Sequence, residues 1–478
     1  MKINKLPIKI TPSPKRMLLR PFIPKNPAQV EHILFRIFST EKESRKKLLD
    51  RIYRRFNSGN EDIRRVFLKH FENVRDRIPS NQKIDDELKQ LIGAYFTQQY
   101  ALESTAIFNP SIVPHPVQNK EGVLKFIMSL RAIGEGHISS IVFREGEIDS
   151  SLNITLYPNS PIILEPERKQ HQYEKKLFIK KANEVGILNE SAKEILEQLN
   201  ETFNFRELEE AILRFRTKNI YRDTIDIENT INAIRLLALC NFTIIFSTDD
   251  ISAKAIYPAS PSHSNGLEDA RFVRFIEEDG SCKYYATFTA YDGRTIMPEM
   301  LETYDFNEFK ISTLNGPAVK NKGMALFPRK INGMYMMLGR QDNESLYIMK
   351  SDNPYFWYDF ERLIVPTYYW EYIQIGNCGS PIEIEEGWLV LTHGVGPVRS
   401  YSIGAVLLDK DEPWIVKGRL EEPLLEPTKE ESYGYVPNVL YTCGALVLNR
   451  TLILPYAMSD VATTFATVEL DEILRKMV

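Results

Sequence analysis

Four segments in the C-terminal half of the chain repeat one order of features: a turn, a run of aromatic and aliphatic residues, then a polar cluster. They are KYYATFTAYDG, GMYMMLGRQD, EGWLVLTHGV and NRTLILPYAMSD. Their apolar runs begin at Tyr285, Tyr335, Trp388 and Leu452, spaced 50, 53 and 64 residues apart. Short strands recurring at about 40–50 residues are the pattern of propeller blades, small sheets that bury their faces only against neighbouring copies. An earlier strand set, Ile138 to Tyr157 with Phe242 to Tyr257, would supply a fifth blade. Each blade would then deliver polar residues to one centre, although hundreds of residues separate them. The alternative is that each polar cluster merely ends a strand in a solvent turn.

Elsewhere the period is helical. Asn26 precedes Pro27, an N-cap followed by the proline favoured at the first helical position. Thr40 with Glu43 has capping-box spacing, and Leu48, Leu49, Ile52, Tyr53 and Phe56 form the apolar stripe of the helix that follows. Asn57-Ser-Gly-Asn60 breaks it, and DDELKQLIGAYFTQQYALESTAIF continues the helical pattern to residue 108. A second helical block covers about 172–236. The expected organisation is an N-terminal helical region over 1–130 and a mainly β, five-bladed propeller over 131–478, with a helical insertion in the first blade region.

The whole-chain net charge of -4 hides a split. Residues 1–80 carry 20 Lys and Arg against 8 Asp and Glu, a net of +12 that leaves -16 for the other 398. Apolar residues interleave with these charges at helical spacing, so the basic residues read as the solvated face of docked helices. Nothing resembles a nucleic-acid recognition module or a basic, aromatic stacking pattern. Cys240, Cys282, Cys378 and Cys443 form no CxxC pair, which argues against zinc ribbons and redox motifs. The start lacks a signal-peptide pattern and no apolar run approaches a membrane span, so a reduced, cytoplasmic setting without membrane contact is expected.

The densest polar segment is Ser262-His-Ser-Asn-Gly-Leu-Glu-Asp-Ala-Arg271, followed by a strand and Thr289-Ala-Tyr-Asp-Gly293. In an extended strand Glu268 and Asp269 point to opposite sides, so only one would face a given pocket, while Arg271 would share a face with Asp269. Read alone, that pair is a structural salt bridge as readily as a site.

GLEDAR followed by YATFTAYDG resembles the signature of glycoside hydrolase family 130, the β-mannoside phosphorylases and β-mannosidases. ALFPRKINGMY, EEGWLVLTHGV, GYVPNVLYTCGAL and YAMSD resemble later segments of the family in the same order. The resemblance spans roughly 138–478. It implies a five-bladed propeller with a mannosyl unit at its centre, no metal and no cofactor. Asp269 matches the family's acid, which protonates the glycosidic oxygen through a sugar hydroxyl. Glu268, Arg271, Tyr291, Asp292 and Asp460 match sugar-binding positions; Lys322, Arg340, His393 and Tyr401 match phosphate-binding ones.

Attack on the anomeric carbon from the face opposite the acid inverts configuration. Inorganic phosphate as nucleophile gives mannose 1-phosphate, and water gives mannose. One departure bears on that choice: many phosphorylases carry a lysine where this chain has Gln374, an amide that donates hydrogen bonds but supplies no charge. A β-mannosidase therefore stays open as the second reading, with one of Glu383, Glu385 and Glu386 as a candidate to activate water. A propeller that binds carbohydrate without cleaving it is the third. The expected partner is a mannose-containing oligosaccharide. The helical region would wall the acceptor subsite or form a homo-oligomer interface. Glu135 and His137 in GEGHISS are further candidates to reach the pocket, and each named residue also has a purely structural reading.

Overall fold

The computed structural model describes residues 1–55, 61–79, 82–169, 171–219, 224–293 and 296–478. These residues form two compact units, Lys15–Ala101 with Pro161–Glu165, and Met1–Pro14 with Leu102–Ser160 and Pro166–Val478. The expected division at residue 130 is therefore corrected. Residues 1–14 and 102–130 belong with the β unit, because they supply strands to its sheets.

The smaller unit is helical, with helices Pro27–Phe38, Lys42–Arg55, Glu61–Glu72 and Asp86–Tyr95. Asn26 caps the first by accepting from the Ala28 amide, with Pro27 following. Asp85 caps the last, accepting from Leu88. Thr40 is not a cap: its hydroxyl donates to the Arg36 carbonyl and closes the preceding helix. Val30, Leu34, Leu49, Phe71, Leu91 and Ile92 share one core, so the basic residues of Lys42–Arg55 lie on the opposite, solvated face. The break expected at Asn57–Asn60, with Phe56 of the stripe, lies outside the described residues. The helical pattern also ends sooner than its sequence implies. After Tyr95 the chain turns into the strand Thr97–Ala101, which pairs with Met17–Pro21, and Ala106–Pro114 is a buried strand of the β unit.

The larger unit contains five antiparallel sheets of four or more strands. The first is built on Ala106–Pro114, Leu124–Ile133 and Ser139–Ile148; the second on Leu267–Ile276, Cys282–Tyr291, Ile296–Thr303 and Glu308–Thr313. The third runs from Ala325–Leu326 to Asp359–Ile364 and the fourth from Gln374–Asn377 to Val416–Arg419. The fifth joins Leu440–Tyr441, Thr451–Met458 and Ala462–Glu469 to the N-terminal strand Ile3–Ile10, which pairs with the C-terminal one. Tyr285, Tyr335, Trp388 and Leu452 occupy equivalent long strands of the second to fifth sheets, as the repeat predicts.

Apolar clusters join each sheet to the next. Phe143 meets Phe272 and Phe306, Phe275 meets Tyr335, Phe327 meets Trp388, and Leu391 shares a cluster with Leu454. Phe108, Ile133 and Ala457 then join the fifth sheet to the first, so the succession returns to its start.

Two details of the expected first blade are corrected. Phe242–Ile245 pairs with Glu308–Thr313 of the second sheet, and the missing strands of the first come from the segment read as helical. The helical block follows Glu167–Lys169 and precedes Phe242–Ile245, two strands of the second sheet, so it is an insertion there. Its helices, Lys175–Glu184, Glu190–Glu197, Phe205–Lys218 and Thr224–Leu239, pack around Phe178, Leu196, Phe203 and Phe215. Asn204 and Glu207 close a capping box at the third. Among the described residues no helix is long and apolar enough to cross a membrane.

In the helical unit Gly93 lets two helices touch, since a Cβ there would sit 1.8 Å from the Phe67 carbonyl oxygen. Gly93→Ala should therefore destabilise this unit by about 1–3 kcal/mol despite alanine's better helix propensity. A denaturant titration that shows the variant equal to or more stable than the wild type would refute the close crossing.

Candidate active site

Two β-bulges set the geometry of the centre. In the first strand of the second sheet, Glu268 pairs with Thr289 and Arg271 with Thr287, so Asp269 and Ala270 together face one residue. Asp269 takes φ +56°, a left-handed conformation that turns its side chain to the same side as that of Glu268. Both acids therefore face one cavity, which corrects the alternation expected for an unbroken strand. The first sheet carries the matching device. Phe108 pairs with Arg131 and Ser111 with Ser129, leaving Asn109 (φ +50°) and Pro110 bulged. Proline suits that position because it has no N–H to give the ladder.

Two tight turns add further residues. Ser459 and Asp460 both have positive φ in the turn closed by the Val461 amide on the Met458 carbonyl. Val398 and Arg399 do the same in the turn closed by Ser400 on Pro397. Asparagine and glycine are the usual occupants of such turns, so Asp460 and Arg399 are held at a conformational cost.

The cavity these residues line has a volume of about 420 Å³. All five sheets contribute: Asn109 and Arg131, Glu268 and Asp269, Lys322 and Arg340, His393, Arg399 and Tyr401, and lastly Tyr441 and Asp460. The structure thus brings together Asp269, Glu268, Asp460, Lys322, Arg340, His393 and Tyr401 from the sequence reading.

The carboxylates are tightly held. Arg131 donates to Glu268 Oε1 at 2.9 Å and to Asp269 Oδ1 at 3.4 Å, and Asn109 donates to the same Asp269 oxygen at 2.7 Å. Lys322 pairs with the other Glu268 oxygen. Burial pushes the Asp269 carboxyl up, but Arg131, Arg271, Asn109 and Lys322 outweigh it and hold the group below the ordinary aspartate range. Asp460 is the reverse. Burial, then the charges of Asp269 and Glu268, push it up to about 7 against the pull of Arg131.

On the cationic side, Arg340 Nη1 lies 3.2 Å from His393 Nε2. Arginine only donates, so Nε2 accepts, and burial followed by Arg340 keeps the imidazole neutral. His393 therefore orients the Arg340 guanidinium. The ring of Tyr401 stacks on His393 with centroids 6.0 Å apart. Gln374 is buried beside His393 and does not line the cavity.

Other expectations fail. Arg271 lies beneath the cavity, donating to the Asp269 and Cys378 carbonyls and to the Tyr441 hydroxyl, so it pins three sheets. Tyr291 and Asp292 do not line the cavity, because they sit beyond the bulge at the strand end, where Tyr291 donates to the Gly293 carbonyl. Glu383, Glu385 and Glu386 are outside it too, paired with Arg329 or Arg450. His137 stacks on Tyr435 at 6.3 Å, and neither it nor Glu135 is a lining residue.

Asn109, Arg131, Arg399 and Tyr441 were missed. Asn109-Pro110 inside an apolar run signals a bulge, and a single arginine in LKFIMSLRAI signals a buried charge needing a partner. Asn109 lies in the stretch assigned to the helical region, 1–130, and Arg131 immediately after it.

A family model described as beta-1,4-mannooligosaccharide phosphorylase matches residues 212–478, more than half of the chain. The chain belongs to glycoside hydrolase family 130. Its relatives in this family include the 1,2-β-oligomannan phosphorylase of Thermoanaerobacter sp. (strain X514), 36% identical over 216 residues, which are 44% of this chain and 70% of that protein. The β-1,2-mannobiose phosphorylase of Listeria innocua is 31% identical over 46% of this chain and 63% of its own length. The β-1,4-mannooligosaccharide phosphorylase of Ruminococcus albus is 37% identical over 36% and 55%. The chain thus spans between about half and 70% of these relatives. The solved structure of the Listeria innocua enzyme with β-1,2-mannobiose aligns with 79% of this chain and 93% of that one, at 21% identity and a TM-score of 0.47. Asn109 and Arg131 lie outside the part of this family 130 chain that the family model matches.

Because Asp460 titrates higher in the folded chain than its ordinary 3.8, the folded state binds more protons than the unfolded one between about pH 4 and 7. Stability due to this group is present below that window and lost as pH rises through it. The melting temperature of Asp460→Asn relative to wild type should accordingly climb from pH 4 to 7. A pH-independent difference would mean that Asp460 titrates normally.

Proposed function

We propose that this chain is an inverting β-mannoside phosphorylase on a five-bladed propeller, with Asp269 as the acid. The observation that carries the proposal is how charge is sorted around the cavity. The carboxylates come from the second and fifth sheets, while Lys322, Arg340 and Arg399 come from the third and fourth. The five sheets, each packed on the next and the fifth on the first, support the propeller, and the names of the relatives support the substrate class.

In this reading a mannosyl unit lies against Asp269 and Asp460, and phosphate lies on Arg340, Arg399 and Tyr401 with Lys322 at the boundary. A dianion there engages Lys322, one of the cations that hold Asp269 down, and adds negative charge to the cavity, so the carboxyl gains its proton once the nucleophile is bound. Asp269 passes that proton through a sugar hydroxyl to the glycosidic oxygen. The bond from that oxygen to the anomeric carbon breaks, a phosphate oxygen bonds to the carbon from the opposite face, and the acceptor sugar leaves protonated. No cofactor enters the reaction. Arg399 supplies a charge that Gln374 does not, which favours phosphorolysis over hydrolysis.

Incubation with β-mannobiose should release mannose 1-phosphate only when inorganic phosphate is present; release of free mannose without phosphate would make the chain a hydrolase. Asp269→Asn should lower kcat by about 10²–10⁴-fold while sugar binding persists. Arg399→Ala should raise the KM for phosphate by about ten-fold with the KM for the mannoside little changed. Equal effects on both KM values would remove Arg399 from the phosphate site. Absence of turnover on any mannoside would leave a carbohydrate-binding propeller.

A further inference from the structure

A second cavity, of about 350 Å³, lies between the helical insertion and the second sheet and shares no lining residue with the first. Lys181, in the helix Lys175–Glu184, is only 5% exposed, with Nζ 2.6 Å from Asn241 Oδ1 and 3.4 Å from Thr313 Oγ1. Lys310, on Glu308–Thr313, places its Nζ 3.4 Å from the Tyr355 hydroxyl. The two ammonium groups share one aromatic ring, at 5.7 and 5.1 Å from the Tyr355 centroid. His171 adds a ring nitrogen 3.1 Å from Thr243 Oγ1.

The lining carries three lysines, Lys169, Lys181 and Lys310, against two exposed carboxylates, Glu174 and Glu308. Among the described residues neither Lys181 nor Lys310 has a carboxylate ion-pair partner, and Glu308 at the rim is taken by Lys169 at 2.9 Å. A buried ammonium held only by neutral oxygens is costly, and burial, then Lys310, brings Lys181 down to about 7. The helical core and the second sheet would pack as well around apolar residues here. An anion restores the missing charge for both lysines at once. The volume falls in the range of small-molecule sites rather than that of a lone inorganic ion. The lining also offers hydroxyl and amide groups, Thr243, Ser312 and Asn241, beside the aromatic Tyr173, a surface suited to a hydroxylated ring.

We propose that this cavity binds a monophosphorylated metabolite of about monosaccharide size, with its phosphoryl group on Lys181 and Lys310 and its hydroxylated body toward His171, Thr243 and Asn241. The proposal does not rest on the reaction at the central cavity.

Calorimetric titration of the full chain tests it, with mannose 6-phosphate, fructose 6-phosphate and glycerol 3-phosphate as probes and inorganic phosphate, sulfate and mannose as controls. The background is Arg340→Ala, which weakens the central anion site. At least one probe should still bind with one-to-one stoichiometry, about ten-fold or more tighter than phosphate or sulfate. Adding Lys310→Met, at a partly exposed position, should weaken binding by about ten-fold or more, and Lys181→Met should do likewise where it folds. No binding of any probe, loss of binding through Arg340→Ala alone, binding unaffected by Lys310→Met, or equal affinity for inorganic anions would each overturn the proposal.

Discussion

The centre of this protein depends on one arginine. Arg131 lies half-buried between Glu268 and Asp269 and bonds to both; without it Glu268 would keep only Lys322, and Asp269 only Asn109 and the more distant Arg271 guanidinium. Ions removed from water are tolerated only when paired and fully hydrogen-bonded, and removing one partner of such a set leaves a charge stranded. Arg131 comes from the first sheet and the acids from the second, so the electrostatic requirement also fixes the register of two sheets against each other. Its guanidinium packs over the Phe108 ring at 5.2 Å, which links the ion set to the apolar cluster joining the first and fifth sheets.

Around that arginine the backbone does unusual work. Asn109, Asp269, Arg399 and Asp460 all have positive φ, and all line the same cavity. Each such residue costs of order 1–3 kcal/mol, which the packed sheets around it must supply. The gain is direction. An unbroken strand shows alternate residues to its two faces, whereas the bulge at Asp269 turns two consecutive acids to one side. One of these acids is held ionised by cations, while Asp460 is pushed toward neutrality by the same acids.

Much of this was legible in the sequence, and the failures share a cause. The repeat starting at Tyr285, Tyr335, Trp388 and Leu452 marked equivalent strands, since their composition follows burial on both faces. Glu268, Asp269, Lys322, Arg340, His393, Tyr401 and Asp460, singled out by the family resemblance, line one cavity. What stayed hidden depends on pairing between distant residues. Ile3–Ile10 is exposed along much of its length and becomes a strand only by joining Ala462–Glu469. The strand Ala106–Pro114 begins inside the stretch to residue 108 that has a helical pattern, and its pairing with Leu124–Ile133, the strand of Arg131, depends on partners distant in sequence. Tyr291 and Asp292 lie at the end of their strand, outside the cavity lining, which the order of residues alone does not show.

With the acid and the nucleophile on opposite faces of the anomeric carbon, phosphorolysis at this cavity inverts configuration. Proton NMR of the first product formed from a β-mannoside and inorganic phosphate tests this most directly. The expected product is mannose 1-phosphate of the α configuration from the earliest turnover. A β-configured sugar phosphate would contradict the proposed single displacement, because retention needs two successive displacements.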